Sequence, residues 1–135
     1  MRIAVVDGQG GGIGKYVTER LRKELPEDVE ILALGTNALA TAAMLKAGAN
    51  EGASGENAIV FNAGRVDFIV GPIGVAIANS LLGEVTPKMA EAISSSRAQK
   101  IFLPVARGDF EIAGYKSGPL PHLIEDLANR IREKL

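Results

Sequence analysis

The sequence has no cysteine, no tryptophan and a single histidine, His122. These absences exclude disulfides, thiolate nucleophiles and cysteine-ligated zinc sites, and one chain cannot supply a multi-histidine metal site. Aromatic residues make up only 4% of the chain, which argues against a stacking groove for single-stranded nucleic acid. Lysine and arginine number 15 against 16 aspartate and glutamate residues, for a net charge of -1. Because binding a phosphate backbone needs a basic surface, we expect no nucleic-acid partner.

Long apolar runs are also missing. No run approaches the roughly 18 residues of a membrane-spanning helix, and the first residues are typical of a strand rather than an export signal. We therefore expect no membrane partner and a cytoplasmic location. The 135 residues are 47% hydrophobic and include 16 glycines. This composition excludes intrinsic disorder, and the length predicts a single domain over residues 1–135.

Short apolar runs alternate with amphipathic segments along the chain. The runs predict strands at 3–6, 29–34, 66–70, 101–105 and 110–115. The amphipathic or small-residue segments between them predict helices at 13–25, 38–47, near 56–63, 73–82, 87–96 and, last, around 123–131. The helix at 73–82 is almost wholly apolar and is predicted to be buried or to form an interface. The Gly-, Ala- and Ser-rich segment 48–57 predicts a loop.

Strands that alternate with helices predict an α/β fold with a mostly parallel sheet and helices on both faces. We expect a Rossmann-like three-layer sandwich with about five strands. Only three residues, 107–109, join the last two predicted strands. Since a parallel pair needs a crossover of about a dozen residues, strand 110–115 should run antiparallel at the sheet edge.

The glycine-rich segment Asp7–Lys15 follows a predicted strand and opens a predicted helix. In that context glycines allow close approach of a ligand, and the helix N-terminus favours a phosphate. The segment fits neither the Walker A pattern nor G-x-G-x-x-G. It does fit G-x-x-x-G-x-G. The residues predicted to bind the ligand are Gly8, Gly10, Gly11, Gly12, Ile13 and Gly14.

This third pattern resembles the cofactor loop of the short-chain dehydrogenase/reductase family, which implies a nucleotide or a dinucleotide such as NAD or NADP. The family's catalytic Tyr-x-x-x-Lys is absent, because Tyr16 is followed by Arg20 and Tyr115 by Pro119. The resemblance therefore supports a nucleotide-type loop and argues against that family's chemistry. A tight strand-to-helix packing turn remains the alternative.

Other predicted strand ends should meet the loop at one edge of the sheet. The second strand ends at Gly35, Thr36 and Asn37, without the acidic residue that binds ribose in dinucleotide folds. The third ends at Gly71 and Pro72. The fourth is followed by Arg107, whose guanidinium could bind phosphate or carboxylate or pair only with Asp109. We add these six residues, Gly35, Thr36, Asn37, Gly71, Pro72 and Arg107, to the predicted site.

Three further side chains carry weaker hypotheses. Asp7 could orient the loop through backbone amides or face a ligand. Glu84 is a candidate general base. His122 lies at a predicted helix start, on the side of the sheet away from the ligand, where a surface or capping role is the more common one.

Taken whole, the sequence is similar to a family of small bacterial proteins of unknown function. The similarity rests on the segments Asp7–Gly14, Ala33–Thr41, Gly71–Gly74, Thr86–Ile93 and Pro119–Ile124, and it covers essentially the full length. It implies a Rossmann-like fold and a bacterial cytoplasmic setting, but no activity, ligand or catalytic residue.

The leading hypothesis is a module that binds a nucleotide or phosphorylated metabolite at the glycine loop, as a sensor, carrier or regulatory subunit. One alternative is a small enzyme on such a metabolite, with a site at a subunit interface and Arg107, Asp7 and Glu84 as its polar groups. Another is an interaction protein whose glycines only pack. The apolar segment 73–82 predicts a homodimer or larger assembly in each case.

Overall fold

The computed structural model of the chain describes residues 1–105, 109–116 and 118–135. In these residues five strands and five α-helices alternate, with one 3₁₀ helix at Ile73–Ala76. The strands are β1 (Arg2–Asp7), β2 (Glu30–Gly35), β3 (Glu51–Ser54), β4 (Phe68–Pro72) and β5 (Gln99–Leu103). The helices are α1 (Gly12–Glu24), α2 (Ala38–Lys46), α3 (Glu56–Ala63), α4 (Pro87–Ser95) and α5 (Leu120–Glu133).

The sheet has the order β3-β2-β1-β4-β5, and its neighbouring strands are parallel. This is the strand order of the Rossmann fold, so the predicted Rossmann-like α/β fold is confirmed. Central strand β1 faces two cores. Ile3 and Val5 pack with α1, α2 and α5, whereas Ala4 and Val6 pack with α3 and α4. The helices therefore cover both faces and give the three layers expected.

The predicted antiparallel edge strand is wrong. Within the described ranges no strand forms at 110–115; instead the Tyr115 amide donates to the carbonyl of Ile112 and the backbone turns there. The sheet still has five strands, because β3 forms in the segment predicted as a loop and runs parallel to β2. Since β3 is a largely exposed edge strand, it has no apolar run that the sequence could reveal.

The apolar segment 73–82 is not the predicted helix. Only Ile73–Ala76 is helical, as one 3₁₀ turn, and the chain then turns repeatedly before α4. Val75, Leu81 and Val85 reach the core under α3 and α4 from this irregular backbone. Burial, and not helical periodicity, explains the apolar residues at positions 75 and 81 of this segment.

We refer to residues 77–86 as the cover loop. Its backbone is left-handed at Asn79, Leu81 and Leu82, with φ of 66°, 56° and 57°, a region that non-glycine residues rarely adopt. Such conformations persist only where surrounding contacts hold them. The Leu82 side chain is 96% exposed, so the contacts that hold the cover loop come from its other residues.

The remaining helices agree with the predictions, including α3 at Glu56–Ala63. Asn37 caps α2 by accepting from Ala40 N, and Thr86 caps α4 by accepting from Met89 N. Among the helices of the described residues, none combines the length and apolar character that crossing a bilayer requires.

Candidate functional site

A cleft of about 190 Å³ opens at the carboxyl ends of β1 and β4. These neighbouring strands continue toward opposite faces of the sheet, which is where open α/β sheets bind ligands. Residues 7–13, from the end of β1 to the start of α1, form one side, and Pro72 at the end of β4 and Gly74 beyond it form another. Leu81 of the cover loop and Val105 complete the described lining.

Asp7 holds the glycine loop in place. Its side chain is 5% exposed; Oδ1 accepts from Gly8 N at 2.8 Å and Oδ2 from Gly14 N at 2.7 Å. The carboxylate thus ties the end of β1 to the first turn of α1, satisfying one of the amides that a helix start leaves without a partner. Of the two roles considered for Asp7, this contact supports orientation of the loop.

Several predicted site glycines are required by packing. A Cβ on Gly14 would lie 2.6 Å from Met44 Sδ of α2 and 2.9 Å from Asp7 Cβ, so this glycine lets α1 approach its neighbours. A Cβ on Gly71 would lie 2.3 Å from the Val6 carbonyl oxygen in β1. Contacts under 3.0 Å also restrict Gly8, Gly11 and Gly35.

Gly10 and Gly12 are different. A Cβ built on either meets no atom within 4 Å, and both residues are exposed and line the cleft. Packing therefore does not explain glycine at these two positions. Bare backbone there leaves room for a group to approach the loop closely.

The start of α1 also has unused donors. Its N-cap, Gly11, has no side-chain cap, and the first turn has no acidic residue. Within the described part of the chain, the amides of Gly10, Gly12 and Ile13 donate to no protein acceptor. The three donors thus belong to residues that line one cleft, at the positive end of a 13-residue helix, an arrangement that favours an anion.

The predicted site residues at the end of β2 contact a different partner. Glu84 of the cover loop places Oε1 2.7 Å from Thr36 Oγ1 and 2.8 Å from Asn37 Nδ2. The same oxygen accepts from Gln9 N at 2.8 Å. Asn37 Nδ2 also donates to the carbonyl oxygen of Gln9 at 3.0 Å. Glu84 therefore joins the cover loop to the glycine loop and to the end of β2.

The structure brings only part of the predicted site to the cleft. Arg107 lies outside the described residues, and His122 is exposed in the first turn of α5 and does not line the cleft. In the described ranges, no group of three His, Asp or Glu side chains is placed to hold a metal. The predicted residues that line the cleft are Gly8, Gly10, Gly11, Gly12, Ile13 and Pro72.

The sequence as a whole matches one protein family. The family, described as Domain of unknown function (DUF3842), covers residues 2–135. The chain belongs to this family. The full-length resemblance expected from the motifs is therefore confirmed. No curated protein matches the sequence.

Two solved structures match most of the length of this chain. A dodecameric FMN-dependent Ubix-like decarboxylase from Escherichia coli O157:H7 is 14% identical with a TM-score of 0.48, over 96% of this chain and 75% of that one. A candidate alcohol dehydrogenase from Thermotoga maritima is 13% identical with a TM-score of 0.43, over 95% of this chain and 36% of that one. At these identities and TM-scores the likeness says nothing of this chain's ligand or reaction.

Sequence reasoning did not find the Glu84 cluster. Glu84 is 48 residues from Thr36 and 75 from Gln9 along the chain, so no local pattern joins them. The one available signal is that Thr36 and Asn37 stand where a dinucleotide fold has an acidic residue. A carboxylate supplied from elsewhere in the fold is one way to fill that position.

The Glu84 carboxyl is held in its charged form. Partial burial raises its pKa, but the hydrogen bonds from Gln9 N, the Thr36 hydroxyl and the Asn37 amide outweigh that effect and lower the pKa below its ordinary value of 4.5. A group with a lowered pKa in the folded state stabilises the fold above its unfolded pKa, and that contribution is lost as pH falls through the folded pKa.

We therefore expect Glu84→Gln to lower the free energy of unfolding by about 1 kcal/mol at pH 7. The difference from the unsubstituted protein should shrink below pH 4.5 as Glu84 becomes protonated. Urea unfolding at a series of pH values measures it. Glu91→Gln, at an exposed position of α4, is the matched control and should change stability little at any pH. A Glu84→Gln effect that stays constant down to acid pH would contradict this account.

Proposed function

We propose that this protein binds a small phosphorylated metabolite at the cleft, through the backbone amides that open α1. The observation that carries the proposal is that the amides of Gly10, Gly12 and Ile13 have no acceptor among the described residues, and that all three residues line the cleft. The glycines at 10 and 12 leave the space that a phosphate would enter. The position at the switch between β1 and β4 is the one where this strand order binds ligands.

The electrostatics indicate how the phosphate would be held. None of the described cleft residues is a lysine or an arginine. Asp7, the carboxylate in the lining, already accepts from two loop amides. Helix N-terminal amides would therefore supply the recognition, as they do for phosphates in other α/β folds. Such a site suits a sensor, carrier or regulatory module that must release its ligand.

A catalytic role has less support from the described groups. Glu84 has a lowered pKa and three hydrogen-bond donors on one oxygen, whereas a general base works best with a pKa near the operating pH. Asp7 is buried among loop amides. The enzyme hypothesis then rests on Arg107, and Arg107→Ala with turnover lost and binding retained would favour it.

An interaction role draws support from the apolar side chains of the cover loop. Leu82 is 96% exposed, and it lines a surface pocket together with Ile77, Ala78 and Phe110. Apolar residues exposed next to one another mark contact sites. A homodimer or larger assembly through this region stays a prediction. Light scattering at micromolar concentration tests it, and a monomeric mass would contradict it.

The binding proposal is tested by titrating inorganic phosphate into ¹⁵N-labelled protein and recording amide chemical shifts. We expect saturable shifts centred on Gly10, Gly12 and Ile13, with a dissociation constant on the order of 1 mM. Chloride at equal ionic strength is the control for a general salt effect. Shifts that are absent, or that are spread over the surface without a maximum at the α1 N-terminus, would overturn the proposal.

A further inference from the structure

Side chains of this protein fill the space beside the end of β2, where dinucleotide-binding folds hold a ribose of the cofactor. In dinucleotide-binding folds the pyrophosphate approaches the glycine loop, and an acidic residue after the second strand accepts from the ribose. Here Thr36 and Asn37 follow β2, and both give a donor to Glu84. The residues present therefore do not fit NAD or NADP in the usual position.

We infer that the cover loop, through Glu84 and Leu81, restricts the cleft to ligands that end in a phosphate and have no second nucleoside. The inference rests on the proposed function and names its ligand class. Phosphorylated compounds that insert only the phosphate end would bind, and dinucleotides would be excluded. Glu84 acts in this as a specificity-determining residue.

The packing above Gly8 closes the path. A Cβ on Gly8 would lie 2.5 Å from Thr36 Oγ1, 2.8 Å from Leu81 Cδ1 and 3.1 Å from Glu84 Oε1. Side chains thus occupy the space between the glycine loop and the end of β2. A ligand that bridges the two would have to displace both Leu81, which is 9% exposed, and the Glu84 carboxylate.

The size of the cleft agrees with this restriction. Its volume is about 190 Å³, below the roughly 300–1,000 Å³ that small-molecule sites usually have. A cleft of this size suits the phosphate end of a ligand, with the rest of the molecule outside it.

A rival role for Glu84 is that of the missing ribose acceptor. The geometry argues against it, because Leu81 Cδ1 and Glu84 Oε1 lie 2.8 Å and 3.1 Å from a Cβ built on Gly8, in the space between the glycine loop and the end of β2 that the sugar would enter. The hydroxyl of Thr36 and the side-chain amide of Asn37, which follow β2, also both donate to Glu84. The two roles predict opposite effects of removing the side chain, so one variant separates them.

The experiment compares NAD with inorganic phosphate in unsubstituted protein, Glu84→Ala and Glu84→Gln, by amide shift mapping and calorimetry. We expect phosphate to shift Gly10 and Gly12 in all three and NAD to bind the unsubstituted protein at least about tenfold more weakly than Glu84→Ala. Glu84→Gln keeps the shape of the side chain, so it should exclude NAD as the unsubstituted protein does. Thermal unfolding of each variant confirms that it is folded.

The outcomes separate the inference from the proposed function. Unsubstituted protein that binds NAD more tightly than phosphate, or NAD binding that is no stronger in Glu84→Ala, overturns the inference. If phosphate does not shift the Gly10 and Gly12 amides, the proposed function is overturned. If Glu84→Ala gains NAD binding in that case, the role of Glu84 in excluding NAD is retained. If Glu84→Ala fails to fold, the inference is tested by comparing the affinities of the unsubstituted protein for NAD and for phosphate.

Discussion

Gly12→Asp is expected to abolish phosphate binding at the cleft while the protein stays folded. Gly12 is the first residue of α1, and a Cβ there meets no atom within 4 Å. The new carboxylate would stand beside the amides of Gly10, Gly12 and Ile13, where a phosphate is proposed to bind. Repulsion between this carboxylate and the phosphate at so short a distance costs several kcal/mol. The affinity for phosphate should therefore fall at least about 100-fold.

The same substitution should raise stability. Aspartate in the first turn of a helix interacts favourably with the N-terminal amides, by about 0.3–1 kcal/mol, and it replaces a glycine that disfavours helix. Binding and stability are therefore expected to change in opposite directions, which a general loss of structure could not produce. Phosphate titration and urea unfolding of the same samples measure the two effects.

Two variants serve as controls for Gly12→Asp. Gly64→Asp places the same charge at another exposed glycine with open space, at the C-terminal end of α3, and should leave phosphate binding unchanged. Gly12→Ala adds bulk without charge and separates the steric part of the effect. Phosphate shifts in Gly12→Asp equal to those of the unsubstituted protein would rule out the α1 N-terminus as the site.

The sequence predicted those parts of the fold that are buried. Strands β1, β2 and β4 are lined by apolar residues on both faces, so they appear as continuous apolar runs. β3 escaped detection because edge pairing with β2 needs only backbone groups, and its residues are small and exposed. The segment 73–82 was wrongly predicted as a helix because it is apolar, although its backbone turns repeatedly and only some of its apolar side chains, such as Val75 and Leu81, are buried.

The candidate site shows the same division. The strand, glycine and helix order around residues 7–15 located the loop from the sequence, but it could not distinguish glycines required by packing from glycines facing a cleft. That distinction depends on contacts such as Met44 against Gly14 and Val6 against Gly71, which only the assembled fold supplies. The role of Glu84 depends equally on tertiary structure.

Asp7→Asn is expected to give the largest loss of stability among the loop substitutions. The Asp7 carboxylate accepts from Gly8 N and Gly14 N in a buried setting. An asparagine side chain has only one acceptor oxygen. Its NH2 group would therefore lie against one of the two backbone N–H groups, which would lose its acceptor. A buried donor without an acceptor costs about 1–3 kcal/mol, and hydrogen bonds to charged groups contribute more than neutral ones. We expect the free energy of unfolding to fall by about 3 kcal/mol.

Asp67→Asn is the matched control. Asp67 Oδ2 accepts from Arg2 N at 2.8 Å just before β4, but the residue is exposed, so water can replace the lost acceptor and the cost should stay below about 1 kcal/mol. Urea unfolding at pH 7 compares the two. Equal losses would mean that burial at Asp7 adds nothing. A stable Asp7→Asn would show that the loop is held by its glycines, and the geometry of the proposed phosphate site would then not depend on this carboxylate.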